Sequence, residues 1–434
     1  MRYISLASKM ESYSLKEALF KGLAPDGSLF MPESIPALDE AFIRNIQNYS
    51  LAEIAFTVLK PYVDADIEGK VLRQIVEEAF YFDIPLKKID ENLFVLELFH
   101  GPTQAFKDVG ARFLSRLLGY FNRNEKRKLM VLTATSGDTG GAVAHGFHKV
   151  PGIEVVVLYP KGKVSPYQEY QITSPGDNVH AIAVDGSFDD CQRLVKDAFR
   201  DNELRSLVYM TSANSINIGR LLPQMVYYFY AYAQLKNGGF DKAPVLTVPS
   251  GNFGNITAAM LAHKMGLPIS RFVAATNAND VVPRFMNSGV YEPHQTIVTL
   301  ANAMDVGDPS NFPRMYDLYN NSLDKLKGEL VSVSVNDNQI KEAIKTAYKR
   351  FNYLMDPHTA AAYTAARDLY SEGDIALFVS TAHPFKFGEI IDDIIPGGLK
   401  EAGYTIDFPK LDGRTRKPMK PEYANLKEEI KNLA

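Results

Sequence analysis

The segment His100-Gly101-Pro102-Thr103-Gln104-Ala105-Phe106-Lys107-Asp108 sets one lysine among apolar neighbours at the start of an expected helix. An ammonium there loses hydration to Ala105 and Phe106, which favours the neutral amine. A neutral amine is a nucleophile able to form a Schiff base with an aldehyde. The same residues also fit a plain turn, in which Phe106 enters the core and Lys107 with Asp108 is a solvated pair. A second stretch bears on the choice. Val245-Leu246-Thr247-Val248-Pro249 reads as a short buried strand running into Ser250-Gly251-Asn252-Phe253-Gly254-Asn255-Ile256-Thr257, then into an apolar helix through Lys264. Glycines at 251 and 254 let backbone N–H groups approach an anion, and the helix start adds its positive end. The cup fits neither GxxxxGK[ST] nor GxGxxG, which makes a nucleotide the weaker reading. A Gly/Asn turn between strand and helix also arises for structural reasons alone.

An aldehyde needs an amine and a phosphate needs a cradle, so the lysine and the cup together are what a pyridoxal phosphate site requires. Further motifs lie along the chain in order. They are Gly22 to Pro32, Phe99 to Gly110, Ser136-Gly137-Asp138-Thr139-Gly140, and Leu158 to Gly162 with Ser165-Pro166 and Gln168-Glu169. Asn214-Ser215-Ile216-Asn217 with Arg220 and Ser380-Thr381-Ala382-His383-Pro384-Phe385-Lys386 complete the set. With these in place the chain resembles the threonine synthase family, in its bacterial and fungal branch, among the fold type II pyridoxal phosphate enzymes.

The resemblance implies a cytoplasmic lyase that converts O-phospho-L-homoserine and water to L-threonine and phosphate, with pyridoxal 5'-phosphate on Lys107 as the catalytic amine. It assigns Gly251, Asn252, Phe253, Gly254 and Asn255 to the cofactor phosphate and Thr381 to the pyridine nitrogen. Ser136, Gly137, Asp138 and Thr139 fall to the substrate, and Asn214, Ser215 and Arg220 to its phosphate. Arg220 suits that task, since a planar guanidinium can pair with two phosphate oxygens. Lys161 and Lys163 either add positive field or are simply solvated, and Asp138 either faces substrate or caps a helix. His383 is left as a core histidine. A serine or threonine dehydratase shares the lysine and the cup, but its substrates carry no phosphate for Arg220. A family member that has kept the cofactor and lost catalysis is the other alternative.

Positioning these residues requires alternating strands and helices. Buried-strand patterns occur at 93–99, 129–135, 153–159, 179–184, 208–211, 245–248, 272–276 and 375–380, with helical spacing between most of them. That argues an α/β fold, mainly parallel sheet with helices on both faces. Expected domains are 1–92, mostly helical; 93–228, smaller, with the lysine and the substrate-phosphate loops; and 229–434, larger, with the cup and Thr381. From Lys417 the Lys/Glu-rich tail reads as a solvated helix. The motifs follow strand ends, where ligands bind in such sheets. Lys plus Arg number 47 against 51 Asp plus Glu, and no basic patch interleaved with aromatics stands out, so nucleic acid is not an expected partner. No membrane contact, metal or obligate protein partner is expected. The single cysteine, Cys191, excludes an internal disulfide and suits a reducing compartment.

Overall fold

A computed structural model describes residues 1–404 and 416–434. The amino-terminal region is mostly helical. Helix Leu51–Val63 opens on a capping box in which Ser50 and Glu53 satisfy each other's backbone N–H groups, and it buries Ile54, Ala55, Val58 and Leu59 on one face. A small antiparallel sheet accompanies the helices, with β1 (Tyr3–Ser5) between β2 (Ser12–Tyr13) and β3 (Phe30–Pro32). Its strands are too short for periodicity to reveal.

In chain order the remaining strands are β4 (Leu86–Asp90), β5 (Leu93–Glu97), β6 (Leu129–Ala134), β7 (Ile153–Pro160), β8 (Val179–Val184), β9 (Tyr209–Ser212), β10 (Val245–Pro249), β11 (Arg271–Thr276), β12 (Leu330–Ser334), β13 (Ala376–Ser380) and β14 (Arg416–Met419). They form a six-stranded sheet, β12-β11-β10-β13-β5-β4, and a five-stranded sheet, β14-β8-β7-β6-β9. Every pairing is parallel except β4 with β5. β5, β6, β10 and β13 are buried along their whole length, as strands covered by helices on both faces must be.

The strand sharing corrects the expected domain boundaries. β5 lies in the six-stranded sheet between β13 and β4, so a division at residue 93 puts it on the wrong side. From the far end of the chain β14 returns to pair with β8 in the five-stranded sheet. The tail is corrected too: Lys417 is in a strand, and helix Tyr423–Leu433 buries Leu426 and Ile430 rather than standing in solvent. Parallel pairing joins segments distant in sequence and leaves no local mark, which is why composition shifts did not locate these units.

Candidate active site

The carboxyl ends of β6, β9, β10 and β13 open on one cleft of about 1600 Å³, lined among others by Lys107, Ser136, Asp138, Thr139, Asn214, Ser215, Arg220, Gly251 and Thr381. Lys107 starts helix Lys107–Asn122. The turn before it is held from several sides. Thr103 donates its N–H and hydroxyl to the buried Asp108 carboxylate at 2.9 and 2.6 Å, and Gly101 lies so close that a Cβ would stand 2.5 Å from Asp108 Oδ2. Phe106 N–H donates to the Thr381 carbonyl at 2.9 Å, while the Tyr227 hydroxyl donates to the Phe106 carbonyl at 2.5 Å. An antiparallel bridge joins Ala105 to Ala382. Lys107 and Thr381, far apart in the sequence, are thereby placed side by side.

Lys107 is half-buried. Burial lowers its ammonium from the ordinary lysine range to about 8, with Asp138 opposing and Arg220 and Lys386 adding to the shift. Arg220 is buried, and no carboxylate among the described residues lies within ion-pair distance of it. Its Nη1 donates to the Ala213 carbonyl at 2.5 Å, and its Nε has no protein partner. A buried guanidinium with a free N–H is costly unless a ligand completes it.

The loop carrying Asn214 and Ser215 is braced by residues that sequence reasoning did not single out. Asn214 Nδ2 donates to the Ala134 carbonyl at 3.0 Å, tying the loop to the end of β6. The fully buried Arg314 donates to Ser215 O at 3.2 Å, Ile216 O at 2.8 Å and Phe30 O at 3.0 Å, so it clamps this loop to the amino-terminal sheet. Asn217, from the same motif, is structural: it caps helix Ile218–Leu221 and donates to the Leu19 carbonyl.

In the cup, helix Gly254–Lys264 presents its first N–H groups toward the cleft. The residue in the left-handed conformation is Phe253, with φ +60, and neither glycine. Gly251 instead serves clearance, because a Cβ there would lie 2.7 Å from Met304 Cα. Asn252 accepts from the Ser310 hydroxyl at 2.9 Å. The Asn255 side chain braces the loop, donating to Pro249 O at 2.7 Å and accepting from Ile256 N–H at 2.9 Å. All five residues from Gly251 to Asn255 line the cleft.

Ser136 and Thr139 line the cleft, whereas Gly137 does not. Its N–H donates to Thr135 Oγ1 at 3.0 Å, and Gly140 N–H donates to the same oxygen at 2.9 Å. Glycine suits this position for its φ of +149 and its close contact with Gln168. Asp138 forms a 2.8 Å ion pair with Lys386 and accepts from Gln168 Nε2 at 3.0 Å. Burial alone would raise its carboxyl, but Lys386 and Lys107 outweigh that and hold it well below the usual carboxylate range. His358, which also lines the cleft, has Nδ1 2.6 Å from Asp356 and accepts from the Ala303 N–H through Nε2 at 3.0 Å. His383 is half-buried: desolvation lowers it to about 4, and it packs edge-on to Phe99 and Tyr404. Lys161 and Lys163 are exposed and outside the cleft lining.

These residues fit pyridoxal phosphate on their own chemistry. A half-buried amine with a lowered pKa, a cup of helix-start N–H groups kept open by a glycine with no room for Cβ, and a hydroxyl at Thr381 supply the three contacts an aldehyde, a phosphate and a ring nitrogen need.

Comparison with known proteins agrees. Residues 80–381 match the family model described as pyridoxal-phosphate dependent enzyme, and residues 2–80 match threonine synthase N terminus. The threonine synthase of Serratia marcescens is 43% identical over 395 residues, 91% of each chain. The crystal structure of threonine synthase from Escherichia coli superposes with a TM-score of 0.89 at 39% identity, covering 100% of both chains. That of the PLP-bound threonine synthase from Brucella melitensis also gives 0.89, at 33% identity, over 100% of this chain and 99% of the other.

Proposed function

The chain belongs to the threonine synthase family of pyridoxal-phosphate-dependent lyases, and on that premise we propose how its own residues divide the conversion of O-phospho-L-homoserine and water to L-threonine and phosphate. Pyridoxal phosphate, when bound, supplies an aldehyde that condenses with amines and a ring that accepts electrons from a carbanion. Lys107 would hold it covalently, the backbone of 251–255 would hold its phosphate, and the Thr381 hydroxyl would meet its ring nitrogen.

Lys107 Nζ, neutral in part near pH 8, is the group placed to take a proton from the substrate Cα and later return it. Arg220 with Asn214 and Ser215 would bind the substrate phosphate until it leaves Cγ. Ser136 and Thr139, at the start of helix Asp138–Phe147, would orient the substrate's carboxylate. Loss of phosphate from Cγ requires a Cβ proton to be removed, and Cγ must take up a proton to become the methyl group; water then gives its hydroxyl to Cβ and its remaining proton balances the released phosphate. A cytoplasmic setting is part of the proposal and is supported by the lone buried thiol of Cys191.

The observation carrying this reading is the buried, unpaired guanidinium of Arg220 in the same cleft as Lys107. A dehydratase has no use for it. The test is to supply purified protein with O-phospho-L-homoserine and measure phosphate, with threonine identified as co-product. Equimolar phosphate and threonine is the expected result. A yellow protein that releases neither, or one that liberates ammonia from serine or threonine instead, overturns it.

A further inference from the structure

Asp138 presents an obstacle to the chemistry just assigned. Asp138 lines the same cleft as Lys107, and among the charged groups acting on Lys107 it is the one that favours the ammonium. Left alone, a buried carboxylate beside a buried amine would take it as an ion pair, and a protonated lysine is no nucleophile.

The structure holds Asp138 from the other side. Lys386, on the turn Pro384–Phe387 that follows β13, is completely buried and does not line the cleft. Its Nζ has two acceptors: Asp138 Oδ1 at 2.8 Å and the Thr103 carbonyl at 2.7 Å. Thr103 O also accepts from Gln171 Nε2 at 3.0 Å, and Asp138 Oδ1 from Gln168 Nε2 at 3.0 Å. One buried ammonium thus fastens the turn that presents Lys107 to the helix start that presents Asp138.

We propose that Lys386 is a positioning residue: it neutralises and orients the carboxylate of Asp138, so that Asp138 is withheld from Lys107 and the Lys107 amine stays free to react. The inference rests on Lys107 being the reactive amine. The charged groups facing Lys107 are Asp138 from one helix, Arg220 from another and Lys386 from the turn after β13. Asp108, on its own helix, is turned toward Thr103, and His358, which also acts on Asp138, has its ring nitrogens on Asp356 and the Ala303 N–H. Lys386 therefore has two effects of one sign. It cancels the anion and adds a cation of its own.

The test reads the amine directly in the full-length cofactor-free protein. Trace formaldehyde with cyanoborohydride, a neutral aldehyde probe, labels each lysine in proportion to its unprotonated fraction, and peptide mapping follows Lys107 against pH. In Lys386→Met the midpoint should rise by about one unit or more, which below both midpoints is about a tenfold slower labelling. In Asp138→Asn it should fall below that of the native chain, and the double variant should return toward the native value. A midpoint in Lys386→Met equal to the native one, or all three variants moving in the same direction, overturns the proposal and leaves Lys386 a tether only. Should Lys386→Met fail to fold, Asp138→Asn still decides: an unchanged or raised midpoint overturns it. Borohydride reduction of the yellow holoenzyme separately maps the pyridoxyl group. Finding it on another lysine overturns the Lys107 assignment itself, and this inference with it.

Discussion

At the scale of single residues, Lys107 and Arg220, two of the cationic residues that line the cleft, are separated by what surrounds them. Burial brings Lys107 to about 8, within reach of neutral pH, whereas it brings Arg220 only to about 10, where the guanidinium remains charged. One can exchange protons and the other can only bind anions. Lys107→Ala should abolish the borohydride-stable adduct and nearly all turnover while the protein still folds, as thermal melting would show. Arg220→Ala should keep its colour and cofactor affinity. Truncating one side of a desolvated charge pair costs about 2–5 kcal/mol, so kcat/KM for O-phospho-L-homoserine should fall by about 30-fold to several thousandfold. Loss of cofactor in Arg220→Ala with substrate kinetics intact after reconstitution would mean the two phosphate sites have been exchanged.

At the scale of elements, the lysine turn and the cup were legible in the sequence because each is contiguous, a few residues whose order already states a turn, a strand end or a helix start. What escaped were contacts between segments. Lys386 stood inside a quoted motif, but nothing in its spacing tells that it meets Asp138 and Thr103. Arg314 braces the Asn214-Ser215 loop, and His358 lines the cleft and holds the Ala303 N–H, through contacts with segments distant in sequence. The glycines of the cup were also read too evenly. At Gly251 an added Cβ would press on the backbone of Met304 at 2.7 Å, whereas at Gly254 it would meet the side-chain amide of Asn311 at 3.3 Å, which can shift. Overpacking against backbone costs about 1–3 kcal/mol, or about 5- to 150-fold in a dissociation constant. Gly251→Ala should accordingly weaken cofactor binding by that factor, and Gly254→Ala by much less. Equilibrium titration of the two cofactor-free variants decides it, and equal Kd values would show that clearance is not what the cup requires of Gly251.

At the scale of the whole molecule, the chain builds the five-stranded sheet in the middle of its length, completes the six-stranded one, and returns at its far end to cover the first. β14 pairs along β8, whose outer edge would otherwise stand open, and helix Tyr423–Leu433 lays Leu426 and Ile430 on the cluster formed by Cys191, Leu194, Ala198 and Leu204. An open parallel edge and a bare apolar face are both liabilities, so the tail is structural. Leu426 is fully buried, and truncating a buried leucine costs about 2–5 kcal/mol. Cys191 provides a built-in reporter, since burial pushes its thiol up to about 12 and keeps it from reacting. Leu426→Ala should lower Tm and speed labelling of Cys191 by a thiol reagent under native conditions, while the strand ends that carry the site, those of β6, β9, β10 and β13, are left alone. Cofactor affinity should therefore stay near the native value until the variant melts. Native-like labelling of Cys191 in Leu426→Ala would place the tail outside the cooperative core, and the return of the chain would then be a covering without energetic weight.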